Sequence, residues 1–271
     1  MGEVFPVLQQ MADVKKPVFG MVHFPPLPGS PLYDSLGGLQ KIKDIAMKDA
    51  ESLAEAGFDG FMFSNEGDRP YLSDVSKYTV AIMARLISEI AQKFDKPFGV
   101  SVLADPVAAI SVGGAVGANF VRIFLSLVYA SDWGIVNPDA GMLQRYKSQI
   151  DSKLAIFANI SGHSAPLGMR SIYDIACGAI KFGLADAICL AGTTAGSEVE
   201  ISDLEQARKA AAGEIPVVIG TGISIDNIDA MFNYGDAFIV GTSLKIEGDT
   251  FKPIDPYRAK AFMEKVAFLR G

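Results

Sequence analysis

Eight short, almost wholly apolar runs recur along the chain, and each is followed by a segment with helical spacing. The runs span residues 17–23, 59–64, 97–103, 119–124, 154–160, 185–190, 215–219 and 237–240. Helical spacing follows at 39–56, 73–94, 107–116, 139–150, 170–182, 202–212, 225–234 and 256–268. A strand with one face in water alternates apolar and polar residues. These runs do not alternate, which is the pattern of a parallel sheet covered on both faces. Parallel strands joined through helices cross over right-handedly.

Eight such units favour a closed barrel over an open sheet. The expected fold class is α/β, a single (β/α)8 TIM barrel of the phosphate-binding type. One domain is expected over residues 1–271, with a leading helix in 1–16 capping the barrel floor and the barrel itself over 17–268. No Gly/Ser/Pro linker or shift in composition divides the chain.

In such a barrel the working face is built from residues just after each strand. Three glycine-rich stretches follow the last three strands: Gly192-Thr193-Thr194-Ala195-Gly196, Gly220-Thr221-Gly222 and Gly241-Thr242-Ser243. Glycine lets backbone approach a ligand closely, and a helix start offers unpaired N–H groups to an anion. Gly192, Thr194, Gly196, Gly220, Thr221, Gly222, Gly241 and Thr242 are therefore expected to hold a substrate phosphate. Glycines that merely permit tight turns would give the same pattern. The proline-rich stretch 24–33 cannot be helical and reads as an ordered loop over the site.

The other polar residues at the strand ends complete a candidate site. His23 follows the first strand, Glu66 the second and Asp105 the third, while Arg122 lies within the fourth. These are the candidate catalytic groups. Carboxylates in a partly desolvated mouth can move protons near neutral pH. Asp105 and Asp68 are equally good helix-start residues. An arginine among apolar neighbours needs a partner, which could be Glu66, Asp105 or a substrate anion. Asn65, Asp68, Asp132, Asn159 and His163 are candidate substrate-binding residues. His23 could hold a divalent metal with Glu66 and Asp105, but no His-x-His or His-Glu-x-x-His spacing supports it, and no cofactor is indicated.

Composition narrows the partners. The net charge of −7 lacks the basic surplus that nucleic-acid binding needs. Cys177 and Cys189 stand in apolar contexts, so buried thiols are expected rather than a disulfide framework. Residues 1–16 lack a secretory pattern, and no run of about eighteen apolar residues suggests a membrane span. A cytoplasmic protein is expected, and a homo-oligomer is left open. Two chemistries are disfavoured. A Schiff-base aldolase needs a lysine in the mouth, and no strand carries one. Chemistry like that of phosphoribosylanthranilate isomerase would favour a cysteine after the first strand, where His23 stands.

With these motifs in place, the chain resembles the BtpA/SgcQ family from about residue 20 to 266. The resemblance rests on Val22-His23, Pro26-Leu27-Pro28-Gly29-Ser30-Pro31, Gly67-Asp68 and Ala130-Ser131-Asp132-Trp133-Gly134. It continues through the loop 191–196, Gly222 with Asp226-Asn227-Ile228, and Val240-Gly241-Thr242-Ser243-Leu244-Lys245. Phe63-Ser64-Asn65-Glu66 with Pro70-Tyr71-Leu72, and Pro97-Phe98-Gly99-Val100 with Asp105-Pro106-Val107-Ala108, look more like the SgcQ branch, found beside sugar-uptake genes. The BtpA branch has Glu-Asn where Ser64-Asn65 stands and Lys-His where Gly162-His163 stands. The resemblance implies a barrel and a context rather than a reaction. The expected function is an enzyme acting on a small phosphorylated metabolite, a sugar phosphate, by proton transfer next to a carbonyl. The alternative is a non-catalytic assembly or regulatory protein that keeps the barrel as a scaffold.

Overall fold

A computed structural model describes residues 5–150, 153–162, 164–192 and 196–271. Its strands are β1 (Val18–His23), β2 (Gly60–Ser64), β3 (Phe98–Ser101), β4 (Phe120–Phe124), β5 (Tyr129–Ser131), β6 (Gly134–Val136), β7 (Ala155–Asn159), β8 (Ser164–Pro166), β9 (Ala187–Leu190), β10 (Val217–Ile219) and β11 (Ala237–Val240). Its helices are α1 (Pro6–Gln9), α2 (Gly38–Glu55), α3 (Lys77–Ala91), α4 (Pro106–Val116), α5 (Ala140–Gln149), α6 (Ile172–Lys181), α7 (Ile201–Ala211), α8 (Ile228–Met231) and α9 (Pro256–Arg270). The eight apolar runs are the strands of a closed parallel barrel, ordered β1-β2-β3-β4-β7-β9-β10-β11 and back to β1.

Both faces of these strands are buried, which explains the missing alternation. In β1, Phe19 and Met21 point into the barrel, beside Met62, Phe120, Phe157 and Ile239. Val18 and Val22 point outward and pack with Ala46, Ala50 and Leu53 of α2. Phe120 stacks on Phe157 with ring centroids 4.3 Å apart, filling the barrel. Phe5 and Leu8 close the bottom against that same interior cluster. Burial rather than propensity makes α1, which among the described residues is a single turn, Pro6–Gln9.

Side-chain caps decide the helix starts. Ser76 accepts from Thr79 N–H, so α3 begins after the expected 73. Asp105, Asp139 and Ser171 do the same for α4, α5 and α6. The helix expected at 225–234 shrinks to α8. Asn227 accepts from Ser224 N–H and donates to Gly222 O, and this local turn delays the first helical residue.

The loops after β4 and β7 carry structure that hydrophobic periodicity does not announce. They meet as an antiparallel sheet in the order β6-β5-β8, with Ala130 facing Ala165. Among the described residues, no helix is long and apolar enough to cross a membrane.

Candidate functional site

The C-terminal ends of the barrel strands surround a cavity of about 530 Å³. His23, Glu66, Arg122, Asp132 and Asn159 line it, together with Gly196, Gly220, Thr221, Gly222, Gly241 and Thr242. Strand register explains part of this. His23 pairs with Ser64, and Glu66 lies two residues further on. Arg122 pairs with Phe157, two residues short of Asn159.

Arg122 lies across the floor. Its Nε donates to Asn159 Oδ1 at 2.8 Å and its Nη1 to Gly220 O at 2.9 Å. A Cβ on Gly220 would come within 2.9 Å of the guanidinium carbon, so glycine there makes room for the arginine. The expected ion pair with Glu66 or Asp105 does not form. Both hydrogen-bond partners are neutral, and among the described residues no carboxylate forms an ion pair with this cation. Burial pushes the thiol of neighbouring Cys189 up, while Arg122 pulls it the other way.

Glu66 faces the same cavity from the loop after β2, two strands round the barrel from β4. Ser64 Oγ donates to its Oε2 at 3.2 Å, and Tyr71 OH to its Oε1 at 3.2 Å. Burial first, then the Glu66 charge and hydrogen bond, hold the Tyr71 phenol well above its usual range. Tyr71 therefore stays protonated and acts as a donor. Tyr71 in turn packs edge-on against Trp133, with centroids 5.2 Å apart. At the rim, the Arg69 guanidinium lies 3.5 Å over the Phe251 ring.

Asp105 does not line the cavity. Its Oδ1 accepts from Ala108 N–H and its Oδ2 from Val75 N–H, each at 2.9 Å. It is a buried helix cap tying two loops together, and the roles expected for it in proton transfer and metal binding are not supported by this geometry. Asp68 and Asn65 also stand behind the wall. Asp68 Oδ1 accepts from Leu27 N–H, and Asn65 holds Leu103 through its N–H and C=O. Burial raises the Asp68 carboxyl, against the hydrogen bonds from Leu27 and Asn65. Asp68 thus fixes the proline-rich loop, whose Phe24, Pro25 and Pro26 line a second, smaller cavity rather than the mouth. Among the described residues, no three His, Cys, Asp or Glu side chains come together as metal ligands.

The glycine turns are drawn together, except that Gly192 packs against Ser197 and is not in the lining. Thr194 and His163 lie outside the described residues. Gly222 has φ +80°, and a Cβ there would sit 1.9 Å from Ser197 O, so only glycine lets these two loops meet. Ser243 Oγ donates to Ile223 O and ties the last two turns together. After Gly222 and Gly241 come only α8 and a single 3₁₀ turn, Thr242–Leu244. An anion here would meet individual amides and hydroxyls rather than the dipole of a long helix.

Tyr71, Arg69, Thr250 and Phe251 were not among the sequence candidates, yet all four line the cavity. Tyr71 lay in the Pro70-Tyr71-Leu72 motif. Thr250 and Phe251 sit in the long stretch between the last glycine turn and α9, whose length was the only signal.

His23 titrates below its ordinary value of 6.5, mainly because burial disfavours the imidazolium; Glu66 opposes this and Lys245 adds to it. Between the folded pKa and 6.5, the unfolded chain therefore binds a proton that the folded chain does not. Stability is full above that window and falls as pH drops through it. Chemical denaturation should show midpoints declining below pH 6.5, by up to about 1.4 kcal/mol per pH unit within the window. His23→Gln should flatten that slope. An unchanged slope would place the titrating group elsewhere.

Comparison with known proteins places this barrel. The chain is 35% identical to the Photosystem I biogenesis protein BtpA of Synechocystis sp., over 96% of this chain and 91% of that protein. It is 33% identical to the sgc region protein SgcQ of Escherichia coli K12, over 97% of this chain and 98% of that protein. Among solved structures, KGPDC from Streptococcus mutans superposes with TM-score 0.58 at 13% identity, covering 95% of this chain and all of that one. Thiamine phosphate pyrophosphorylase from Pyrococcus furiosus superposes with TM-score 0.57 at 16% identity, covering 94% of this chain and 97% of that one. At such identities the structural likeness is one of fold, the TIM barrel. Residues 14–268 match the BtpA family, and the chain belongs to that family.

Proposed function

We propose that the protein is an enzyme acting on a small phosphorylated metabolite, a sugar phosphate, by proton transfer next to a carbonyl. Isomerisation, epimerisation and retro-aldol cleavage all use that step. The observation that carries the reading is the Arg122 cation on the cavity floor, which has no ion-pair partner among the described residues and is hydrogen-bonded to the first glycine of Gly220-Thr221-Gly222. A partly buried cation without a counter-ion is stabilised by an anionic ligand. The phosphate sits among Gly196, Gly222, Gly241 and Thr242, held by backbone N–H groups and attracted by the charge of Arg122, which lines the same cavity and donates to Gly220 O. Glu66, after β2, takes the proton. Arg122 stabilises the oxyanion that develops on the carbonyl. Tyr71 and Ser64 keep the Glu66 carboxylate in place. Neutral His23 stands on the neighbouring strand as the second proton-transfer group.

One named neighbour lends support, since thiamine phosphate pyrophosphorylase, by its name, handles a phosphorylated compound on this fold. A scaffold without turnover draws only on the name of the BtpA relative, and polar groups converging on one cavity favour the enzyme.

Inorganic phosphate and a panel of phosphosugars should bind the wild-type protein in calorimetry. Arg122→Met should weaken that binding by about tenfold or more, the scale of one lost charge-assisted contact. Phosphate binding equally well to both proteins, or to neither, would sink the anion site.

A further inference from the structure

The stretch between β11 and α9 folds back on itself. Lys245 and Ile254 form an antiparallel bridge, and Ile246 N–H donates to Pro253 O at 3.0 Å. Asp49 of α2 ties the base of this loop to the barrel wall. Lys245 Nζ donates to Asp49 Oδ2 at 2.6 Å, and Ile254 N–H donates to Oδ1 at 2.8 Å. The two side chains are 1% and 2% exposed. An ion pair this deep loses much of its attraction to desolvation, so apolar packing would serve the fold at least as well. Neither residue lines the mouth cavity.

The tip of the same loop touches the working face. Thr250 Oγ1 and Thr242 Oγ1 share a hydrogen bond of 2.8 Å, and the Thr250 carbonyl lies 3.4 Å from His23 Nδ1. A carbonyl only accepts, so the hydrogen-bond network assigns the His23 proton to Nδ1 and leaves Nε2 with its lone pair. His23, Thr250 and Phe251 line both the mouth and a second cavity of about 270 Å³, and Lys245 and Asp49 line that second cavity too. The buried pair thus shares a chamber wall with the imidazole.

We propose that Lys245 and Asp49 are positioning residues for His23: their buried pair anchors the loop whose Thr250 carbonyl fixes the imidazole tautomer. The proposal rests on the mouth being the working site. Four groups act on the ring electrostatically. Beyond burial itself, Glu66 after β2, the Thr250 carbonyl and Asp49 of α2 favour protonation, and the Lys245 ammonium opposes it. The pair therefore acts on His23 both through geometry and through charge.

The sequence contains only two histidines, which makes the test direct. Two-bond nitrogen–proton NMR on the full chain reads the tautomer and the protonation of each ring. A His163→Gln background identifies the His23 signal. Wild-type His23 should carry its proton on Nδ1 and take up a second proton only below the ordinary range of an imidazole. Lys245→Met should give mixed tautomers and raise the protonation constant roughly tenfold, the effect of losing one nearby charge. Lys245→Arg should restore both. The wild-type spectrum alone overturns the proposal if the proton sits on Nε2, whether or not the methionine variant folds. A folded Lys245→Met with an unchanged tautomer and titration also overturns it. Calorimetry with inorganic phosphate on the same samples separates the two readings. Absent phosphate binding counts against the proposed function, while the His23 spectra judge the positioning role.

Discussion

Replacing Glu66 with Gln should lower turnover on the phosphorylated substrate by about a hundredfold or more, the usual scale for a lost general acid or base. That corresponds to roughly 2.7 kcal/mol of barrier. The amide matches the carboxylate in shape, and its oxygen can still accept from Tyr71 OH or Ser64 Oγ, the two donors that hold Glu66. Melting temperature should barely move. Phosphate affinity should change little, because the glycine loops follow β9, β10 and β11 while Glu66 follows β2. The control is Asp105→Asn. Both Asp105 oxygens accept backbone N–H groups, so that change should cost up to about 1 kcal/mol of stability through the helix cap and leave turnover intact. Full activity in Glu66→Gln would move the proton to His23 or Asp132.

Asp49→Ala should destabilise the protein by about 3–5 kcal/mol, the range for breaking a buried ion pair from one side. The alanine strands the Lys245 ammonium, 1% exposed, and also removes the acceptor of Ile254 N–H. Replacing both partners, Asp49→Leu with Lys245→Met, should cost much less, because no buried charge is then left behind. Urea titration of the three variants checks the ordering. A single variant losing under about 1 kcal/mol would mean that water reaches the pair and screens it.

How much of this was legible in the sequence depends on the range of the interaction that decides each residue. The barrel was legible because burial on both faces leaves its mark inside each strand. Val18, Phe19, Met21 and Val22 are apolar for two different neighbours, the helices outside and the barrel interior. The rule that a barrel works at its C-terminal strand ends then brought His23, Glu66, Arg122 and the glycine turns together without coordinates. It could not tell Asp105 from Glu66. Both are carboxylates after a strand, and the difference is that Asp105 meets the N–H groups of Val75 and Ala108 while Glu66 meets side-chain hydroxyls.

Contacts between loops far apart in sequence were decided only by the tertiary structure. Nothing local announces that β5 pairs with β8 or that Arg69 stacks on Phe251. Lys245 shows the limit most clearly. By position it is only a lysine beyond a phosphate-type loop. Its partner is Asp49, 196 residues earlier on α2. Chain closure into a barrel brings α2 against the segment after β11, and only that closure makes Lys245 a buried charge. Periodicity fixes which residues are inside because burial is set along each element. Partners across the barrel depend on where its ends meet, and that information exists only once the sheet is closed.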